Sequence, residues 1–166
     1  TEPYTPPFSP SARDYHSTAI LLPSAKVLVA GGENRFSDYE IYVPPYLEGS
    51  PSRPQWGTIT QGALEPADYG STIQADFTMS SPESTVSRVV LMRPASLTHH
   101  SCSDQRYVQL KVPSVTTNSV TFKMPDYNPG DPAIGETDVV APPGYYMAFL
   151  ISDAGVPSTA QWVHLQ

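Results

Sequence analysis

Apolar residues recur at every second position in two stretches of this sequence, and that period limits what the chain can fold into. Val108, Leu110 and Val112 alternate with Tyr107, Gln109 and Lys111, and Val120, Phe122 and Met124 alternate with Thr121 and Lys123. Successive side chains on a strand point to opposite faces of a sheet, so such runs read as strands with one face buried. Short runs of strand character fall at about 57–60, 71–78, 86–92, 106–112, 119–124, 145–151 and 160–165, with turn residues between them. No apolar stripe at helical period lasts more than a turn or two, and no internal repeat is evident. The chain reads as all-β, at the strand spacing of an immunoglobulin-like sandwich.

Three further strands are expected upstream, over 18–22, 26–30 and 39–43. The first two form a hairpin around Pro23-Ser24-Ala25, and Gly31-Gly32 ends the second with residues that tolerate positive φ. Three strands make a poor domain by themselves, because a small sheet needs another surface to cover its apolar face. Residues 1–12 should run extended, and the proline- and glycine-bearing stretch after Val43 marks a boundary. The expected division is 1–47, an extended segment plus these strands, and 48–166, the sandwich.

Composition narrows the partners. Nine Lys and Arg face sixteen Asp and Glu, for a net charge of −7. Nucleic acid and anionic membrane both call for a basic footprint, so neither is expected. No apolar run approaches the length of a membrane span. One cysteine excludes an internal disulfide. Nineteen prolines, ten tyrosines and few lysines lean toward a secreted, loop-rich β protein, and the opening Thr1-Glu2-Pro3 reads as a processed or cut product.

Two short stretches carry chemistry. Arg13-Asp14-Tyr15-His16-Ser17 puts a phenol beside an imidazole just ahead of an apolar run. On a regular strand these two side chains diverge, so they meet at one centre only if the backbone turns between them. Ser96-Leu97-Thr98-His99-His100-Ser101-Cys102-Ser103 holds two more of the four histidines within small, polar residues typical of a loop. Imidazole suits copper, zinc, iron and nickel, and a phenolate adds a harder, charged oxygen. Hydrolase signatures are missing: there is no Gly-x-Ser-x-Gly elbow and no His-Glu-x-x-His helix.

The order Arg-x-Tyr-His-Ser, then Pro44-Pro45-Tyr46-Leu47, then Arg93-x-x-x-x-Thr98-His99 with Asp104-Gln105-Arg106 behind it, resembles the C-terminal part of the copper radical oxidases, the galactose oxidase and glyoxal oxidase family. The ending Pro142-Pro143-Gly144-Tyr145-Tyr146, with Gly155-Val156-Pro157-Ser158 after it, resembles the same family's last domain. The resemblance implies an immunoglobulin-like (early-set) β-sandwich preceded by strands of an incomplete β-propeller blade. It implies oxidation of an aldehyde or a primary alcohol, carbohydrates included, with reduction of O2 to H2O2. It implies that Tyr15, His16 and His99 supply three of four Cu2+ ligands, Tyr15 also taking the proton of the substrate hydroxyl. The fourth ligand, the tyrosine of the Cys-Tyr radical cofactor, is implied to come from an N-terminal propeller portion. Substrate choice in the family is shaped by propeller loops, and Pro44-Pro45-Tyr46-Leu47 with Arg93-Pro94-Ala95-Ser96 leans toward the glyoxal oxidase branch.

His100 is the alternative to His99; the spacing places Arg93 and Thr98 in step with His99. Asp104, Gln105 and Arg106 are expected to brace the loop, with Arg93 placed to pair with an acid such as Asp104. Cys102 is expected to be a small buried residue outside the cofactor, His164 a surface imidazole, and Trp56 and Trp162 packing residues of the sandwich. The alternative function is a non-catalytic immunoglobulin-like module with a structural or glycan-contacting role.

Overall fold

The computed structural model describes residues 13, 15–33, 38–99, 101–126 and 141–166. The expectation of an extended stretch over 1–12, and His100, lie outside the described residues. Among those described no α-helix occurs, and none of their helices is long and apolar enough to cross a membrane.

Two four-stranded antiparallel sheets face each other across the core. One has the order β10 (Lys111–Val115), β11 (Ser119–Lys123), β5 (Thr72–Thr78), β4 (Gln55–Gln61). The other runs β13 (Gln161–Leu165), β12 (Gly144–Ser152), β6 (Val86–Arg93), β9 (Arg106–Gln109). The alternation seen in sequence decides which side chains meet. Ile73, Ala75 and Phe77 of β5 and Val120 and Phe122 of β11 are buried against Val89 and Leu91 of β6 and Tyr146, Ala148 and Leu150 of β12. Trp56 packs on this core with its ring edge-on to Phe122, at 6.2 Å between centroids, and its indole N–H donates to Ser158 Oγ at 3.1 Å.

The expected strand over 106–112 is two strands in different sheets. β9 pairs with β6 and β10 pairs with β11, and the chain crosses between the sheets at Leu110, whose N–H still donates to Val89 O at 2.9 Å. Val108 and Leu110 are buried and Tyr107, Gln109 and Lys111 exposed, so the period of two survives the crossing.

Ahead of the sandwich, β1 (Ser17–Leu21), β2 (Val27–Gly31) and β3 (Tyr39–Tyr42) form a separate antiparallel meander. Its strands have no buried residue of their own. Instead the β1–β2 turn docks on the outer face of the β6–β12 sheet, where Ala25, Leu47, Val90, Met147, Phe149 and Val156 form a second apolar cluster. Three successive carbonyls of that turn are taken by donors that follow the meander. Pro23 O accepts from Ala160 N–H at 2.8 Å, Ser24 O from Arg53 Nη2 at 2.9 Å, and Ala25 O from Tyr46 Oη–H at 3.0 Å. Arg53 also donates to Pro157 O and Ser158 O, both at 2.8 Å, so one guanidinium fastens the meander to the sandwich. Burial lowers the pKa of Arg53 and raises that of Tyr46, each opposed by the other's charge; the phenol stays a neutral donor at physiological pH.

A two-rung hairpin, β7 (Leu97–Thr98) with β8 (Ser101–Cys102), projects from the end of the sandwich between β6 and β9 and reaches β1. This finger joins the two halves of the candidate site.

Candidate metal centre

His16 arrives from a turn. Tyr15 and His16 are the two turn residues before β1, and His16 has φ of 63°, which is what lets two neighbouring side chains face one centre. Gly31 makes that turn possible. At φ of 77° it lies so close to the turn that a Cβ there would meet His16 O at 2.5 Å, while Gly32 N–H donates to the same oxygen at 3.3 Å. Arg13, with only 5% of its side chain exposed, donates to Gly31 O at 2.9 Å and to the carboxylates of Asp38 (3.4 Å) and Glu40 (3.3 Å). Arg13, two residues ahead of Tyr15, is thereby tied to β2 and β3.

His99 arrives on the finger. It stands at the tip, also with positive φ (49°), and its Nδ1 is 2.8 Å from Thr98 Oγ1. The tautomer in which Nδ1–H donates to Thr98 leaves the Nε2 lone pair available to a metal. Two histidines with left-handed backbone in one site is local strain of order 1–3 kcal/mol each, of the kind that gathers where geometry serves a ligand.

The three rings converge. Centroids lie 3.9 Å apart for Tyr15 and His16, 5.8 Å for Tyr15 and His99, and 6.4 Å for His16 and His99. A metal–nitrogen bond of about 2 Å puts an imidazole centre roughly 3.2 Å from the ion, so two imidazoles on one ion have centres no more than roughly 6.5 Å apart. The two histidines are within that reach, and the phenol stands beside both. Among the described residues no group of three or more His, Cys, Asp or Glu could hold a metal, and the third ring beside the two imidazoles is this phenol. His16 and His99 are exposed and Tyr15 half-buried, which leaves the centre open to solvent and to a partner.

Behind the finger, the expected pairing of Arg93 with Asp104 is present, Nε to Oδ2 at 3.1 Å. The Arg93 guanidinium lies over the Tyr146 ring, 5.6 Å from its centroid, and its Nη1 donates to Tyr146 Oη, Pro142 O and Pro143 O, each at 3.4 Å. Burial raises the Tyr146 pKa against the pull of Arg93, so the phenol donates to Pro142 O at 2.7 Å.

Other expectations divide. Tyr146 is buried and Tyr145 exposed, as their alternation on one strand requires. Cys102 is exposed rather than buried, since the finger carries no core of its own. His164 stacks on Tyr145, with centroids 4.5 Å apart, and Trp162 beside it is 44% exposed. The hydroxyl of Thr98, the glycine at 31 and the Arg53 anchor hold the site but were not singled out from sequence for those roles. The Thr-His pairing could have suggested the first; the other two act on backbone carbonyls.

Residues 53–165 match the galactose oxidase-like, early set domain family. A galactose oxidase of Gibberella zeae is 32% identical over 92% of this chain, which spans 21% of that protein's length. An aldehyde oxidase, GLOX, of Vitis pseudoreticulata is 31% identical over 92% of the chain, which spans 30% of it. The solved structure of a fungal alcohol oxidase of the AA5 family, in complex with copper, superposes with a TM-score of 0.67 at 28% identity, over 93% of this chain and 31% of that one. The chain thus spans between about a fifth and a third of the proteins it resembles, and it belongs to the galactose oxidase-like early set domain family, the immunoglobulin-like module of copper radical oxidases of the galactose oxidase and glyoxal oxidase type.

Proposed function

We propose that this chain is the C-terminal portion of a copper radical oxidase and that Tyr15, His16 and His99 are three of its four copper ligands. The observation that carries the reading is the meeting of one phenol and two imidazoles drawn from separate sheets, at spacings that one ion spans. Two nitrogens and a phenolate oxygen suit Cu2+, which also heads the divalent affinity series.

Bound copper would supply a one-electron redox centre and a Lewis acid at the substrate oxygen. Within this chain, Tyr15 accepts the hydroxyl proton of a primary alcohol or of an aldehyde hydrate, and His16 and His99 would hold the copper beside it. The substrate loses two electrons and two protons, and O2 takes them up as H2O2. A second one-electron centre is therefore needed, and we assign it to the Cys-Tyr radical cofactor of an N-terminal propeller portion, with β1–β3 as strands of that propeller's last blade. The exposed apolar residues Tyr39 and Ile41 of β3, and Val43 just after it, support such a neighbour. Residues 1–47 would then belong with the propeller and 48–166 form the sandwich domain. Small aldehydes and primary alcohols are the substrate class, and secretion is the expected setting for a proline-rich, lysine-poor oxidase of this kind.

Titrating the chain with Cu(II), followed by electron paramagnetic resonance, should give one site per chain, weakened at least tenfold by His16→Ala, His99→Ala or Tyr15→Phe. Combining the chain with a propeller portion should then yield peroxide from aldehyde or alcohol. Equal, weak copper uptake by the unsubstituted chain and the His99→Ala variant would end this reading. The alternative, a non-catalytic module for structural or glycan contact, draws on the exposed aromatics Tyr107, Tyr145 and Trp162, spread across the outer face of the β6–β12 sheet. It predicts that His99→Ala changes neither partner binding nor stability, and that substitution of Trp162 weakens binding to a carbohydrate panel.

A further inference from the structure

The finger that bears His99 is a lever whose own ladder is short, touching β1 along β7. Its residues from Ser96 to Ser103 that are described are exposed, save half-buried Leu97, and the ladder is two residue pairs long, Leu97 with Cys102 and Thr98 with Ser101. Below the ladder, Ser96 O accepts from Ser103 N–H at 3.0 Å and from Ser103 Oγ–H at 3.1 Å. These bonds fix the finger's own shape. They do not fix the angle at which it leaves the sandwich.

That angle is set where both legs meet the body. Arg93 is the last residue of β6 before the rising leg, and Asp104 follows the descending leg. Their ion pair closes the root across the two legs at 3.1 Å. Arg93 is in turn seated on the body of the sandwich through Tyr146, Pro142 and Pro143, and a side chain at Gly144 would come within 3.4 Å of its Nη2. The guanidinium stands on a buried tyrosine and grips the finger with its remaining edge.

A lever magnifies errors at its root. His99 lies six positions beyond Arg93, roughly 20 Å of extended chain, so a tilt of about 5° at the root moves the ring by roughly 1.7 Å. Metal sites hold their ligand distances to within about 0.2 Å. A small change at the root therefore removes His99 from reach of an ion held by Tyr15 and His16.

We propose that Arg93 and Asp104 form a positioning latch that aims His99 at the Tyr15–His16 pair, with Tyr146 as its seat. The pair touches no ligand; it acts through the finger. This rests on the copper reading for its purpose, but the latch itself is tested without metal.

Nuclear Overhauser contacts between the Tyr15 and His99 rings in the copper-free chain report the aim directly, and Cu(II) titration reports its consequence. Asp104→Ala should abolish the ring contacts and weaken Cu(II) binding about 10–100-fold. The melting temperature should hardly move, because the carboxylate is 43% exposed and its partner 20%. Asp104→Glu, which keeps the charge, should recover most of both signals. On a His99→Ala background, Asp104→Ala should add no further loss of copper affinity. Ring contacts and copper affinity unchanged in Asp104→Ala would overturn the latch, as would the same loss on the His99→Ala background. Should Asp104→Ala fail to fold, Asp104→Asn keeps the shape, loses the charge, and is judged by the same criteria. If the unsubstituted chain shows the ring contacts but takes up no copper, the copper reading fails, and the contacts alone decide the latch.

Discussion

The two histidines of the candidate centre are held in opposite ways. His16 is fixed by main chain: Gly31 lies where a Cβ would meet its carbonyl, and nearly buried Arg13, three residues upstream, donates to the carbonyl of that same glycine. His99 is fixed by side chains at a distance: a partly exposed ion pair at the finger's root and a threonine hydroxyl at its tip. The first support is stiff and intolerant of substitution. The second is adjustable, because solvent and salt reach it. One imidazole thus serves as the fixed point and the other is brought to it.

Breaking the stiff side should have the larger effect. Gly31→Ala places a methyl 2.5 Å from His16 O and demands φ of 77° from an alanine. The backbone must move, and the Tyr15–His16 pair moves with it. The expected outcome is a fall of about 100-fold in Cu(II) affinity, with about 1–3 kcal/mol of stability lost to the strained residue. Titration and thermal unfolding measure both. An intact Leu97–Cys102 ladder by amide exchange would show that the finger side is untouched. If copper affinity survives in Gly31→Ala, the turn is not the fixed point.

Much of this was legible in the sequence, for identifiable reasons. The strands of the sandwich declared themselves where one face is buried, as in Val120, Phe122 and Met124. Tyr15, His16 and His99 stood out as metal-binding types in loop-like surroundings, and the family resemblance supplied their order. What escaped reading depends on the third dimension. The crossing at Leu110 leaves the period of two unbroken, so alternation says which side is buried and not which sheet pairs with it. Cys102 was expected inside on residue type, but a two-rung hairpin has no inside. Arg53 works by donating to backbone carbonyls, which every residue possesses and no pattern marks.

A substitution at the joint tests whether the two supports share one frame. Arg53 donates to Ser24 O on the meander and to Pro157 O and Ser158 O on the sandwich. Arg53→Met keeps the stem and removes all three bonds. Because charged donors are worth more than neutral ones, the expected loss is about 2–3 kcal/mol of stability. Copper affinity should fall about tenfold, since neither histidine moves within its own support and only their relation loosens. Unchanged copper binding in a destabilised Arg53→Met chain would mean that contact between β1 and β7 alone keeps the two halves in register.

The smallest change bears most directly on the comparison. Thr98→Val removes one hydroxyl and keeps a β-branched side chain of nearly the same shape, so the short ladder with Ser101 should persist. Thr98 is exposed, and surface substitutions of this kind stay within about 0.5 kcal/mol in stability. The ring of His99 then loses the partner at Nδ1 that selects its tautomer and stops its rotation. Cu(II) affinity should fall by about three- to tenfold at unchanged melting temperature, and Thr98→Ser should restore it. An equal affinity in Thr98→Val would mean that the positive-φ backbone at His99 orients the ring unaided. Both histidines would then be main-chain devices, and the contrast between a stiff support and an adjustable one would reduce to the Arg93–Asp104 root alone.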